Sequence, residues 1–127
     1  VNEHNIGKTI HLALSKIGAR LFRNNVAFAW RGDKITKLDN GDIIIHNPRP
    51  IHAGLCKGSS DYIGWKPVKI TPDMVGRTVA VFTACEVKTP SGRASGKQKT
   101  FLSAVRAAGG ISFIARSSDE AINKCKI

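Results

Sequence analysis

Val79-Ala80-Val81-Phe82-Thr83-Ala84-Cys85-Glu86-Val87-Lys88 is the clearest strand in the chain. Apolar and β-branched residues dominate it, and successive side chains fall on opposite faces. Val79, Val81, Thr83, Cys85 and Val87 share one face; Ala80, Phe82, Ala84, Glu86 and Lys88 share the other. Cys85, inside the apolar run, reads as a small buried hydrophobe. After a loop over residues 89–96, the pattern predicts a helix over 96–108, stopped by Gly109-Gly110, and a strand over 111–115. Strand, helix and strand in that order make a βαβ unit with two parallel strands and an expected right-handed crossover. That unit sets the fold class as α/β.

The flanks extend the unit. Ile6, Ile10, Ala13, Leu14, Ile17 and Leu21 recur at helical spacing, so residues 3–21 read as an amphipathic helix. Val26, Phe28 and Trp30 alternate as in a strand. Ile35 to Leu38 and Ile43 to Ile45 flank Asp39-Asn40-Gly41-Asp42, a hairpin signal in which Asn-Gly suits a tight turn. Residues 47–60, with Pro48, Pro50, Gly54 and Gly58, read as irregular, 61–65 as a short strand and 67–76 as a connection. A short last helix, capped by Ser117 or Ser118, runs to Lys124. Hairpin-linked strands are antiparallel, so the expectation is a mixed central β-sheet flanked by helices, in one domain over 1–127.

The chain carries 20 Lys and Arg against 9 Asp and Glu, a formal net charge of +11, which points to a polyanionic partner, above all nucleic acid. No apolar run approaches the roughly 20 residues that span a bilayer, so no membrane role is expected. Val1-Asn2-Glu3-His4 is polar, so no secretory signal is expected. Three widely spaced cysteines, Cys56, Cys85 and Cys125, suggest neither a disulfide framework nor a zinc site, and fit a reducing, intracellular setting.

Glu86 and Lys88, two residues apart on a strand, lie on one face roughly 6.5–7 Å apart along the backbone. Asp61 follows Gly58-Ser59-Ser60 about one strand earlier. Two carboxylates that repel each other can be reconciled by a divalent cation, and Mg²⁺ is usually held by one or two carboxylates, waters and phosphate oxygens. The backbone carbonyl of Val87 offers a further hard ligand. Such a metal polarises a scissile phosphate and acidifies bound water, while Lys88 orients that water or neutralises developing charge. The competing reading makes Glu86 and Lys88 a solvated strand end and Asp61 a turn cap.

Gln98 shares a helical face with Phe101, Leu102 and Val105, which places it near the end of the Glu86 strand. Ser95-Gly96-Lys97-Gln98 is equally a capping box, with Gln98 at its third helical position. Glu3, in line with Ile6 and Ile10, is either a contributor to a metal site through water or an acid favoured at a helix N-terminus. His4, His11, His46 and His52 show no metal-ligand spacing. Arg49, Lys57, Arg93, Lys97 and Lys99, with His52, are candidates for DNA contact; cations of this kind position the phosphate backbone without reading bases. Each taken singly is also ordinary solvated surface.

Taken together, Gly58-x-Ser60-Asp61-x-Ile63-Gly64, Glu86-x-Lys88 at a strand end, Gly92, Gln98 and Gly109 resemble the virus-type replication-repair nuclease (VRR-NUC) domain of the PD-(D/E)XK superfamily. The resemblance runs from Glu3 to the strand at Ile111. It implies a restriction-endonuclease-like fold and a deoxyribonuclease dependent on Mg²⁺ or Mn²⁺. Asp61, Glu86 and the Val87 carbonyl would be metal ligands, Lys88 the catalytic lysine, and Gln98 and Glu3 further site residues. It also implies the compact, stand-alone form, similar to Holliday-junction resolvases of bacteria and phages: a homodimer acting on branched DNA in replication, recombination or repair. The alternatives are a monomer that nicks flaps or duplexes, and a non-catalytic basic DNA-binding protein.

Overall fold

The computed structural model describes residues 2–127, and these divide into two compact units. One comprises the chain up to Arg20 together with Gly64–Ile127; the other is Leu21–Ile63. The elements in chain order are α1 (Glu3–Lys16), β1 (Arg20–Arg23), β2 (Ala27–Arg31), β3 (Lys34–Lys37), β4 (Ile43–His46), β5 (Arg49–Ala53), β6 (Tyr62–Trp65), β7 (Thr83–Val87), α2 (Gly96–Ala107), β8 (Ile111–Ala115) and α3 (Ser118–Lys124). A single 3₁₀ turn, Pro72–Met74, interrupts the connection before β7.

The first unit is built on the βαβ motif. β7 and β8 pair in parallel, with Glu86 opposite Ile114 and Val87 opposite Ala115. α2 packs on both strands and α3 packs on β8. Leu102 and Val105 of α2 are buried together with Phe113 and Ala115 of β8, so the core lies where the helices meet the second strand. Ser112 is buried as well; its hydroxyl donates to the Leu102 carbonyl at 2.6 Å and accepts from Arg106 Nη1 at 3.2 Å. The outward carbonyls of β8 are covered in turn: Arg106 Nη1 donates to Ser112 O at 3.1 Å and Lys124 Nζ to Ile114 O at 2.9 Å. An edge strand capped by cations is a poor template for further pairing.

The second unit is a nested antiparallel ribbon. β3 and β4 form the expected hairpin, with Gly41 at φ 92° and Leu38 N–H bonded to Asp42 O at 2.8 Å. Closing that hairpin brings its flanks together at little further entropic cost, and β2 pairs with β5 from Ala27–Ala53 to Arg31–Arg49. The ribbon changes course between the two ladders, where a side chain at Gly32 would collide with the His46 carbonyl and Asn47 adopts a φ of 51°. Asp33 ties this corner, accepting from Asn47 Nδ2 and Arg49 Nη2 at 3.0 Å each. Those bonds, Asn47 first, hold its carboxyl below the usual carboxylate range.

Five sequence expectations need correction. The first helix ends at Lys16 rather than Leu21, because Gly18 turns left-handed at φ 93° and its N–H, with that of Ala19, closes on Ser15 and Leu14 carbonyls. Leu21 keeps the helical period by coincidence. Residues 49–53, read as irregular, are β5; a two-stranded ribbon leaves an open edge on which Pro50 needs no donor. The β7 ladder begins at Thr83, and Cys85 is exposed because neither helix covers that face of β7. The strands form four two-stranded sheets, β1–β6, β2–β5, β3–β4 and β7–β8, in place of one central sheet. Period-2 patterning reports which face is apolar, not which neighbour a strand will choose.

Candidate active site at the end of strand β7

Glu86 and Lys88 emerge on the same face of β7, as their spacing requires. Lys88 Nζ lies 3.2 Å from Glu86 Oε1, with side chains only 21% and 27% exposed. Partial removal from water strengthens such a pair relative to one on the open surface. The Lys88 amide continues the ladder to Ala115 O at 3.1 Å, which anchors the lysine backbone just past the strand end.

Gln98 approaches the same carboxylate from α2. Its Nε2 donates to Glu86 Oε1 at 2.8 Å, and its own Oε1 accepts the Ser95 N–H at 2.8 Å. Ser95 Oγ accepts the Gln98 N–H at 3.2 Å, completing the capping box. The two readings of Gln98 are therefore both realised: one amide caps the helix and holds the acid. Leu102 and Val105, four and seven residues on, bury the same helical face and fix its rotation.

Both contacts to Glu86 fall on Oε1. Oε2 accepts no hydrogen bond among the described residues, so one oxygen is oriented and the other is open to a ligand. In the β7–β8 ladder, Phe82 and Lys88 bond towards β8; residues of the alternate set, including Val87, point their carbonyls away from it. A hard carboxylate oxygen and a hard carbonyl oxygen at one strand end fit a Mg²⁺- or Mn²⁺-type donor set. Among the described residues, no three His, Cys, Asp or Glu side chains gather as a metal-binding group.

The other residues singled out in the sequence are divided between the two units. Glu3 is exposed in the first turn of α1, and no hydrogen bond or ion pair ties it to Glu86 among the described residues. Arg93, Lys97 and Lys99 are exposed around the start of α2. In the second unit, Arg49 is paired with Asp33, His52 packs against Phe28, and Lys57 is exposed in the loop before β6. Asp61 belongs to that unit too, in the loop that enters β6; its carbonyl accepts the Asn24 N–H at 2.7 Å and its carboxylate is exposed.

Two positioning residues escaped the sequence reading. Asn24 braces the Gly58-Ser59-Ser60-Asp61 loop: Nδ2 donates to Ser59 Oγ at 2.7 Å and to Ser60 O at 2.8 Å, while Oδ1 accepts the Leu55 N–H at 2.9 Å. Arg116 pins the loop before α2 by donating from Nη2 to Gly92 O at 2.9 Å. Neither has a local sequence signal, because each acts on backbone far along the chain.

A model of the VRR-NUC domain matches residues 40–119, more than half of the chain. The chain belongs to the VRR-NUC domain family. The match contains Asp61, Glu86, Lys88 and Gln98, and it begins after Glu3 and the whole of α1. No curated protein and no solved structure matches the chain. VRR-NUC membership implies a nuclease of replication or repair that acts on DNA. No helix among the described residues is long and apolar enough to cross a membrane.

Proposed function

We propose that this VRR-NUC domain is a Mg²⁺- or Mn²⁺-dependent endonuclease that hydrolyses phosphodiester bonds of branched DNA as a homodimer. The observation that carries the reading is the state of Glu86: Lys88 and Gln98 orient Oε1, and Oε2 is uncommitted.

Glu86 and the Val87 carbonyl would hold the cation, with Asp61 as second carboxylate on the strength of the family motif. When bound, the ion supplies Lewis-acid polarisation of the phosphate and a more acidic water. Lys88, already beside Glu86, contributes positive charge where the pentacoordinate phosphate gathers negative charge. Gln98 keeps the carboxylate from rotating and offers an amide to water or a phosphate oxygen. Arg49, His52, Lys57, Arg93, Lys97 and Lys99 are proposed contacts to the DNA backbone, each neutralised phosphate steepening the log–log salt dependence by about 0.9. A two-fold dimer matches the paired scissile strands of a four-way junction; Glu3 is proposed as an outer site residue.

The test is cleavage of a labelled four-way junction by wild type and Glu86→Ala, with junction binding measured in parallel. Cleavage that needs Mg²⁺ or Mn²⁺, stops in EDTA and disappears in Glu86→Ala while binding persists supports the proposal. Equal cleavage by the variant removes the mechanism, and binding without any cleavage by wild type leaves a non-catalytic DNA binder. A sedimentation measurement showing a strict monomer, with flaps cut in preference to junctions, would replace the resolvase-like reading by a flap nickase.

A further inference from the structure

The β2–β5 ladder carries an aromatic surface that the hydrolytic site does not use. Phe28 and Trp30 are two residues apart on β2 and so share a face; their cross-strand partners on that face are His52 and Pro50. Phe28 meets Trp30 edge-on along the strand and His52 across it, with ring centroids 5.2 Å apart in both pairs. Phe28 is 56% exposed and Trp30 52% exposed. Two large rings held side by side and half in water leave apolar area uncovered, at an energetic cost that a ligand would remove.

The composition of this face narrows the ligand. Phe28, Trp30, Pro50 and His52 include no carboxylate. Arg31 and Arg49, the pair next to Trp30 and Pro50, end the ladder on the opposite face of the ribbon, and Lys34 follows in β3. Arg49 is occupied by Asp33, whereas Arg31 and Lys34 have no hydrogen-bond or ion-pair partner among the described residues. Exposed rings on a ribbon whose end carries uncommitted cations, in a chain of formal net charge +11, match a polyanion whose bases are unstacked and reachable. Duplex DNA hides its bases inside the helix; a single strand presents them, and proteins that hold single strands combine aromatic stacking with positive charge.

We infer that the Phe28–Trp30–His52 face is a stacking platform for unpaired nucleobases, and that it binds single-stranded DNA. The choice of DNA as the polymer rests on the nuclease reading above; the stacking does not depend on hydrolysis.

Trp30 is its own reporter. Trp65 is the other tryptophan, so Trp65→Phe leaves Trp30 as the single indole. Titration with an oligothymidylate of roughly 12 nucleotides, in EDTA so that nothing is cut, should quench its emission to saturation. In competition anisotropy with the otherwise wild-type chain, Phe28→Ala and Trp30→Ala should each weaken oligothymidylate about tenfold, while Trp30→Phe should stay within about threefold. Duplex of the same length should change less than about twofold in all three, since its bases cannot stack on the rings. Circular dichroism and an unchanged Tm establish that the variants fold. The inference is overturned if folded alanine variants bind oligothymidylate like wild type, or if they weaken duplex equally. It is also overturned if they convert a dimer to a monomer with no change in single-strand affinity, which would make the face a self-interface. Because the titration is blind to cleavage, failure of the Glu86→Ala test leaves its result standing, and the reverse holds too.

Discussion

The Gln98 side chain bridges the first turn of α2 and the end of β7: its Oε1 accepts the Ser95 N–H and its Nε2 donates to Glu86 Oε1, each at 2.8 Å. One residue thus couples the start of a helix to the orientation of the proposed metal-binding acid. The acceptor end serves stability and the donor end serves the site, so the two can be separated. Gln98→Glu keeps an acceptor for Ser95 but places a second carboxylate against Glu86. Its junction cleavage is expected to fall about 10²-fold, the usual scale for a misplaced reacting group, with Tm close to wild type. Gln98→Ala should lose both, and lower stability by about 1 kcal/mol as the reciprocal cap is broken. A merely structural Gln98 would instead leave cleavage by Gln98→Glu, like its Tm, close to wild type.

Lys88 is a charge on a strand end, 3.2 Å from the acid it accompanies. Lys88→Met keeps the length and removes the charge. We expect single-turnover cleavage to slow by about 10²–10³-fold, as when one transition-state donor is removed, with junction affinity nearly unchanged. Lys88→Arg should not restore the rate, because a planar guanidinium does not present charge as a compact ammonium does. Rapid-quench kinetics separates this loss from a defect in binding.

Asn24 organises the loop that carries Asp61 through three side-chain hydrogen bonds. Asn24→Ala removes all of them and leaves the Leu55 N–H without its acceptor. A loss of about 1–3 kcal/mol in the stability of that region is expected. Asn24→Asp retains only the acceptor and should be intermediate. Hydrogen exchange reads this directly: the Leu55 and Ser59 amides should exchange faster in Asn24→Ala, while amides of α2 and β8 keep their protection.

Glu120 gives a pH dependence with a definite sign. Its Oε1 accepts from Lys124 Nζ and its Oε2 from the Arg116 N–H, both at 2.7 Å. The Lys124 bond above all, and then the Arg116 amide, hold the carboxyl below its usual value in the fold. A depressed folded pKa adds stability above the unfolded pKa, and that stability is lost as pH falls through the folded value. The Tm of wild type should therefore exceed that of Glu120→Gln at neutral pH, and the two should converge in acid below the ordinary carboxylate range. A gap that widens on acidification would contradict the assignment.

Local patterns foretold local structure well. The α2 and β8 limits, the Asn40-Gly41 hairpin and the Ser117 cap all rest on interactions within a few residues, which composition and spacing encode directly. The site was legible to the same depth: two-residue spacing puts Glu86 and Lys88 on one face, and the heptad-like run through Gln98, Leu102 and Val105 turns the amide towards the strand. Arg49–Ala53 was not legible as a strand, because two prolines in three residues mask an edge position that only its pairing with β2 explains. Asn24 and Arg116 were invisible for a related reason: an amide or guanidinium that braces distant backbone leaves no periodic trace.

By itself, the sequence determined the α/β class, the strong positive charge and the acid–lysine pair, since these follow from residue identity and the fixed periods of helix and strand. Tertiary structure decided the partners: which strands pair two by two, that Gln98 and Lys88 converge on a single oxygen of Glu86, and that Phe28, Trp30 and His52 assemble into one exposed face. Those outcomes depend on contacts between segments far apart in the chain, where geometry and the competition among alternative neighbours, not local preference, select the arrangement.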